Sequence, residues 1–274
     1  MYFGVGTPER EAAFYDSVFH HVKTHAEKAR GESRSKIKNW WLHERPRVDM
    51  RKGLEGLDRF IVTATLAKHR LFVWMTSPSL PDHQLIAFAR SDDYFFCVLH
   101  SRLHETWALK LGTRLETRPR YTPTTSFEKF PFPQPTKEQE AAVAAAAKEL
   151  DALRNNWLNP PDWTKTETLE FPGSVAGPWR RYVHDANARG IGTVRFTRTV
   201  AKDSGSAARL KKRTLTNLYN EMPTWLKNAH AALDTAVFAA YGWPLDLDSE
   251  AILARLLEIN LTRARSSATQ PSVP

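Results

Sequence analysis

The alternation of apolar and polar positions changes character several times along the chain. Over residues 8–30, Ala13, Phe14, Ser17, Val18, His21 and Val22 fall near one face at helical spacing and charges fill the other. That predicts a helix with Thr7 as its cap and Pro8 in the first helical position. Residues 31–59 lose periodicity. From Arg59 the pattern becomes β-like, with Phe60–Thr63, Leu71–Trp74 and Leu85–Ala89 as short apolar, β-branched runs. Tyr94–Leu111 is expected to begin extended and to turn helical around Ser101–Trp107. Lys137–Leu158, rich in Ala and Glu, predicts a strong helix that stops before Asn159-Pro160-Pro161-Asp162. Residues 164–200 are poor in periodic runs, with one strand expected at Thr193–Thr197. Residues 205–241 return to helical spacing, and Gly242 and Pro244 end it. A last helix is expected over Ala251–Arg265, started by Asp248-Ser249-Glu250.

These elements predict an α+β protein. A small mixed sheet with basic loops is expected over residues 36–133, after an N-terminal helix and linker over 1–35. A mainly helical domain follows over 134–265, and the tail 266–274 is expected to be disordered. The length of 274 residues suffices for a sizeable buried core. A 42% hydrophobic content excludes wholesale disorder. The net charge of +9 favours a polyanionic partner such as nucleic acid. The single Cys97 sits in the apolar run Tyr94–Leu99, which excludes an intrachain disulfide and fits a reducing, cytoplasmic setting. No apolar stretch approaches the ~18 residues of a membrane span, and the N-terminus lacks a signal-peptide layout, so no membrane partner is expected.

The chain is densest in candidate chemistry at Leu109–Pro133, LKLGTRLETRPRYTPTTSFEKFPFP. Gly112 permits a turn, and Pro119 and Pro123 keep the backbone extended. Lys110, Arg114, Arg118, Arg120 and Lys129 offer cations among hydroxyls such as Thr124. Phe127, Phe130, Phe132, Pro131 and Pro133 read as a clamp that locks the loop onto a core. Guanidinium forks and hydroxyls on a stiff loop suit phosphate contact or guanine edges. The plain alternative is a solvated basic loop beside an aromatic plug. The basic stretch around Asn39-Trp40-Trp41-Leu42 carries the same two readings, stacking on nucleic acid or ordinary core rings.

Other constellations are weaker. His21 and His25 have the i, i+4 spacing of a metal pair but lack a third ligand, and no metal site is expected. His100 and His104 share that spacing and read as packed or solvated. Asp92, Asp93 and Glu128-Lys129 lack the spacing of a nuclease centre, and Asp92-Asp93 reads as a turn cap. Asn159-Pro160-Pro161-Asp162 resembles the catalytic loop of amino-methyltransferases. It follows a helix and has Asp in place of the aromatic residue, so it reads as a helix stop. No glycine-rich strand-to-helix turn precedes it.

The segments RFIVTATLAKHRLFVW, SDDYFFCVLHSRLHETWAL, RYTPTTSFEKFPFP and LKKRTLTNLYNEMPTWLKNAHAALDTAVFAAYGWP resemble the C-terminal part of MmeI-like (type IIL) restriction-modification adenine-N6 DNA methyltransferases. The resemblance extends from about Glu11 to Arg265. In that family one polypeptide carries a nuclease, a methyltransferase domain, a target recognition domain and a helical C-terminal segment. This chain resembles the last two. The resemblance implies sequence-specific binding of double-stranded DNA without catalysis by this chain, with S-adenosylmethionine held by a separate catalytic domain. It implies base reading by Glu116, Arg118 and Arg120. Lys68, Arg70, Arg114, Lys129 and Thr124 are then expected on the DNA backbone. Two other functions stay open. The chain is a subunit completing a split methyltransferase with a separate methyltransferase or nuclease chain, or it is a protein-interaction module anchored by Trp225 and Trp243 on the C-terminal helices.

Overall fold

The computed structural model describes residue 3 and residues 5–32, 38–77, 79–115, 118–177 and 179–268. In chain order the elements are α1 (Glu9–Ala12), α2 (Asp16–Gly31), α3 (Val48–Leu54), β1 (Arg59–Ala64), β2 (Phe72–Thr76), β3 (Leu85–Phe88), α4 (Asp93–His100), α5 (Arg102–Leu111), β4 (Thr113–Leu115), β5 (Arg118–Arg120), α6 (Lys137–Leu158), β6 (Thr164–Ser174), β7 (Val183–His184), β8 (Ile191–Ala201), α7 (Ser204–Leu210), α8 (Leu215–Glu221), α9 (Thr224–Tyr241) and α10 (Ser249–Ala268). A short π-helical turn spans Pro123–Phe127. The class is α+β, as expected, but the pairing is antiparallel throughout the sheets rather than mixed.

Compactness divides the chain differently from the linear boundaries expected from texture. One unit holds residues 1–55 and 164–202, the other residues 56–163 and 203–274. Each unit is therefore closed by segments far apart in sequence, which local periodicity does not encode.

In the first unit the predicted helix over 8–30 is broken into α1 and α2. The Thr7 hydroxyl donates to Phe3 O at 2.7 Å instead of capping a helix. Trp40 is buried against Phe19, while Trp41 donates its indole N–H to Thr7 O at 2.8 Å, so the adjacent rings do point to different environments. Besides α3, this unit holds a long antiparallel ribbon, β6 against β8, with the short β7 added beside β8. Only part of β8 was expected from sequence. β6 reads TKTETLEFPGS, in which an interior Pro172 and Gly173 hide the strand pattern.

In the second unit β1 is the central strand of a three-stranded sheet, with β2 and β3 at its edges. The helices α4, α5, α6 and α9 cover it and enclose the core of Phe72, Phe96, Leu99, Leu103, Leu150, Leu226, Leu233 and Phe238. The run Asp93–His100 is helical from its start, capped by the Asp92 carboxylate on Phe95 N–H. Phe95–Leu99 are all buried, and a helix buried on every side shows no amphipathic period, so the run imitates a strand. α6 keeps its predicted ends: Thr136 and Gln139 form a capping box, and Asn159 terminates the helix. The last helix runs three residues past its expected end, and Asp248 caps it through Ala251 N–H.

The edge strand β2 is closed by side chains. The peptide N–H of Phe72 donates to His100 Nε2 at 3.2 Å, and Phe72 O accepts from Arg154 Nη2 at 2.9 Å. Arg154, only 2% exposed, also donates from Nη1 to His100 Nε2 at 2.9 Å. His100 must therefore be neutral with its proton on Nδ1, which donates to Phe96 O at 3.1 Å. Burial, with Arg154 beside it, holds the His100 pKa well below the ordinary histidine range.

His104 is arranged in the same way. Its Nδ1–H donates to Leu99 O at 2.9 Å, and Nε2 accepts the Tyr121 hydroxyl at 3.0 Å. Burial pushes its pKa down to about 3. The imidazole folds neutral, whereas in the unfolded chain it titrates near ~6.5. Above that pH neither state binds the proton, and stability is flat. As pH falls from about 6.5 towards 3, only the unfolded chain takes up protons, and stability falls by up to about 1.4 kcal/mol per pH unit for each such histidine. Denaturant unfolding followed against pH is expected to show that loss, and His104→Gln is expected to reduce the slope. An equally steep profile in the variant would contradict this account.

Gly112 joins α5 to β4. A Cβ there would lie 2.6 Å from Ala108 O and 2.6 Å from Arg120 O, both backbone atoms. The glycine lets the end of α5 and the strand β5 approach each other, and its φ of −73° is ordinary. Gly112→Ala is expected to force the two apart at a cost of about 1–3 kcal/mol in denaturant unfolding. Unchanged stability would show that the approach is not constrained.

Candidate functional site

The expected site is a short two-stranded ribbon in the second unit. β4 and β5 pair antiparallel with Thr113 opposite Arg120, Arg114 opposite Pro119 and Leu115 opposite Arg118. Residues paired across an antiparallel ribbon share a face. Thr113, Leu115, Arg118 and Arg120 therefore lie on one face, and Arg114 and Pro119 on the other. Arg118 and Arg120 are both exposed. Glu116, expected beside them, lies outside the described residues.

The base of the ribbon is fixed by the sheet. Arg120 forms an antiparallel β-bridge with Leu66, and Tyr121 N–H donates to Thr65 O at 2.8 Å, so the end of β5 lies alongside the segment that follows β1. Arg70 crosses this junction. Its Nη1 donates to Thr63 Oγ1 at 3.1 Å and to Ala64 O, and its Nη2 donates to Pro119 O at 3.0 Å. The guanidinium carbon lies 5.1 Å from the centre of the Tyr121 ring. Arg70 is 8% exposed, and burial lowers its pKa. It is therefore not on the surface as a DNA backbone contact, which corrects the expectation. A guanidinium reaching carbonyls on two strands serves as a brace, because its fork of donors satisfies several acceptors at once.

Tyr121 extends the brace inwards. It is buried, its hydroxyl is bonded to His104, and its ring meets Phe72 and Phe88 edge-on. Burial raises its pKa. Below it the expected aromatic clamp is present. Phe132 stacks on Phe95 at 4.8 Å, Phe127 meets Phe88 at 4.8 Å, and Phe130 meets His104 at 4.9 Å. Tyr241 and Arg263 reach the same stretch, donating to Pro131 O and Phe132 O at 2.8 Å each.

The remaining expected backbone contacts are exposed. Lys68 Nζ donates to Asn220 Oδ1 at 2.6 Å, and the His69 ring lies 2.9 Å from the same oxygen, so the lysine has a neutral partner and keeps its field. Arg114, Thr124 and Lys129 are exposed, and Asn260 donates to Lys129 O. Leu115 escaped the sequence reading. It is 51% exposed on the face of Arg118 and Arg120. Its signal was available only as register: position 115 opposite 118.

Other candidates resolve into structure. Asp92 caps α4, and Asp93 pairs with Arg59 at 2.8 Å. Among the described residues, no three His, Cys, Asp or Glu side chains gather to hold a metal ion. Trp225 and Trp243 pack against the core; Trp243 stacks on Tyr241 at 4.6 Å. No helix among the described residues is long and apolar enough to cross a membrane.

The family model described as "MmeI, target recognition domain" matches residues 20–134. No curated protein matches the chain. A solved structure of the type IIL restriction-modification enzyme MmeI in complex with DNA is similar over 95% of this chain, with a TM-score of 0.58 and 17% identity. The chain spans 28% of that protein's length. At this identity the likeness establishes a shared fold, extending through the helical C-terminal region beyond the family match. Over residues 20–134, this chain is similar to the MmeI target recognition domain.

Proposed function

We propose that this chain recognises a specific sequence in double-stranded DNA, as the target recognition part of a type IIL restriction-modification adenine-N6 methyltransferase. The observation that carries the reading is the braced ribbon, with Arg118 and Arg120 on one exposed face inside the stretch that matches the family model. Arg donates two hydrogen bonds to guanine O6 and N7, and a major groove admits a two-stranded ribbon. Leu115 on the same face suits a thymine methyl. Glu116, assigned by the resemblance, would accept from a cytosine amine.

In this reading Lys68, Arg114, Lys129 and Thr124 hold phosphates and set the register without reading sequence. Methyl transfer and S-adenosylmethionine belong to a methyltransferase domain, on the same polypeptide or on a separate chain. The reading involves no membrane, and the setting is the cytoplasm.

The test begins with selection of bound duplexes from a random pool, which defines the target. Arg118→Ala is then expected to relax the choice at one base pair and to cost roughly 1–3 kcal/mol at the selected site. Affinity for matched and singly mismatched duplexes checks this. A variant that keeps the wild-type ratio between them would remove Arg118 from base reading.

A further inference from the structure

The positive charge is not concentrated where the base-reading ribbon lies. The second unit holds 21 Lys and Arg against 19 Asp and Glu, a net +2. The first holds 18 against 11, a net +7 of the chain's total of +9. Within the first unit, residues 164–202 carry seven basic side chains against three acidic ones. This segment is the long ribbon of β6 and β8, and it lies outside the residues matched by the family model.

Its surface is built for a polar ligand. The register places Thr166 opposite Thr199 and Thr168 opposite Thr197, a block of four exposed hydroxyls on one face, and puts Lys165 on the other. Arg195 is tied to Glu170 and Arg198 to Glu167, at 2.9 Å each, and these pairs cancel. Lys165, Arg189 and Lys202 are exposed and have no acidic partner among the described residues. The aromatic rings of the ribbon are spent internally: Trp179 packs edge-on against Phe171 and Phe196. No exposed large apolar side chain falls within β6 or β8, so a hydrophobic protein partner has nothing to grip. Eleven residues per strand give a length of about 35 Å, close to one turn of duplex.

We infer that the β6–β8 ribbon is a second DNA-contacting surface, one that holds phosphates through Lys165, Arg189 and Lys202 without reading bases. The inference rests on the DNA-binding reading above and adds to it a division of labour. The base-reading face lies on the nearly neutral unit, and the first unit supplies counterion release, which sets affinity for any sequence.

The experiment measures binding of the full chain to a fluorescein-labelled random-sequence duplex about three turns long, across roughly 50–200 mM salt. The slope of log affinity against log salt is compared between wild type and K165A/R189A/K202A. Each phosphate contact contributes about 0.9 to that slope, so the triple variant is expected to lose about 2–3. A charge-preserving K165R/R189K/K202R variant is expected to keep the wild-type slope. The selected base preferences are expected to stay the same in both. If wild type binds and the alanine variant keeps its slope, the ribbon does not touch DNA, while the base-reading proposal stands. If wild type shows no salt-dependent binding even at low salt, the DNA-binding reading itself fails and this inference falls with it.

Discussion

A buried guanidinium holds the candidate site together. Arg70 leaves the loop after β1 and reaches carbonyls at the end of β1 and at Pro119 of β5, with the Tyr121 ring alongside. A charge placed there costs desolvation, and the cost is tolerable only when the donors are satisfied. Removing one partner would leave the others unpaired in a poor solvent. The junction between sheet and ribbon therefore has one favoured geometry. Tyr121 passes that constraint to His104, and the phenylalanines from 127 to 132 pass it into the core. Gly112 adds a steric limit from the other side. A ribbon held this way presents Arg118 and Arg120 with little ordering left to do, which is where preorganisation adds affinity and selectivity.

Much of the second unit was legible in the sequence, because its elements have local signals. The strands at 59–64, 72–76 and 85–88 and the helix at 137–158 follow from β-branched runs and from an Ala- and Glu-rich stretch stopped by Asn159-Pro160-Pro161. The aromatic clamp was also legible, since rings and prolines so dense have few other uses. The reading failed where the signal was non-local. Asp93–His100 imitates a strand because every side is buried. β6 is hidden by its Pro and Gly, and its partner lies about two dozen residues away in sequence. The two compact units exchange the chain at 55, 163 and 202, and nothing in a linear reading marks those crossings.

The site shows the same split. Alternation along an extended segment correctly placed Arg118 and Arg120 on one face, but it could not reveal Leu115, whose place depends on cross-strand register. Composition groups Arg70 with its neighbour Lys68 as a surface cation, because it does not distinguish an arginine that faces solvent from one that bridges strands. The difference is physical. Lys68 is a compact, strongly hydrated charge and stays out, whereas the planar fork of Arg70 can replace its water with three protein acceptors.

The account thus assigns distinct work to neighbouring cations: Arg70 to architecture, Arg118 and Arg120 to bases, and the surface lysines to phosphates. Arg70→Met, compared with wild type on a selected and a mismatched duplex over a salt series, tests this most directly. With the variant confirmed as folded at the temperature used, the account predicts that discrimination between the duplexes collapses while the salt slope stays at its wild-type value. A slope lower by about one phosphate's worth, ~0.9, with discrimination intact, would make Arg70 a backbone contact and contradict the account.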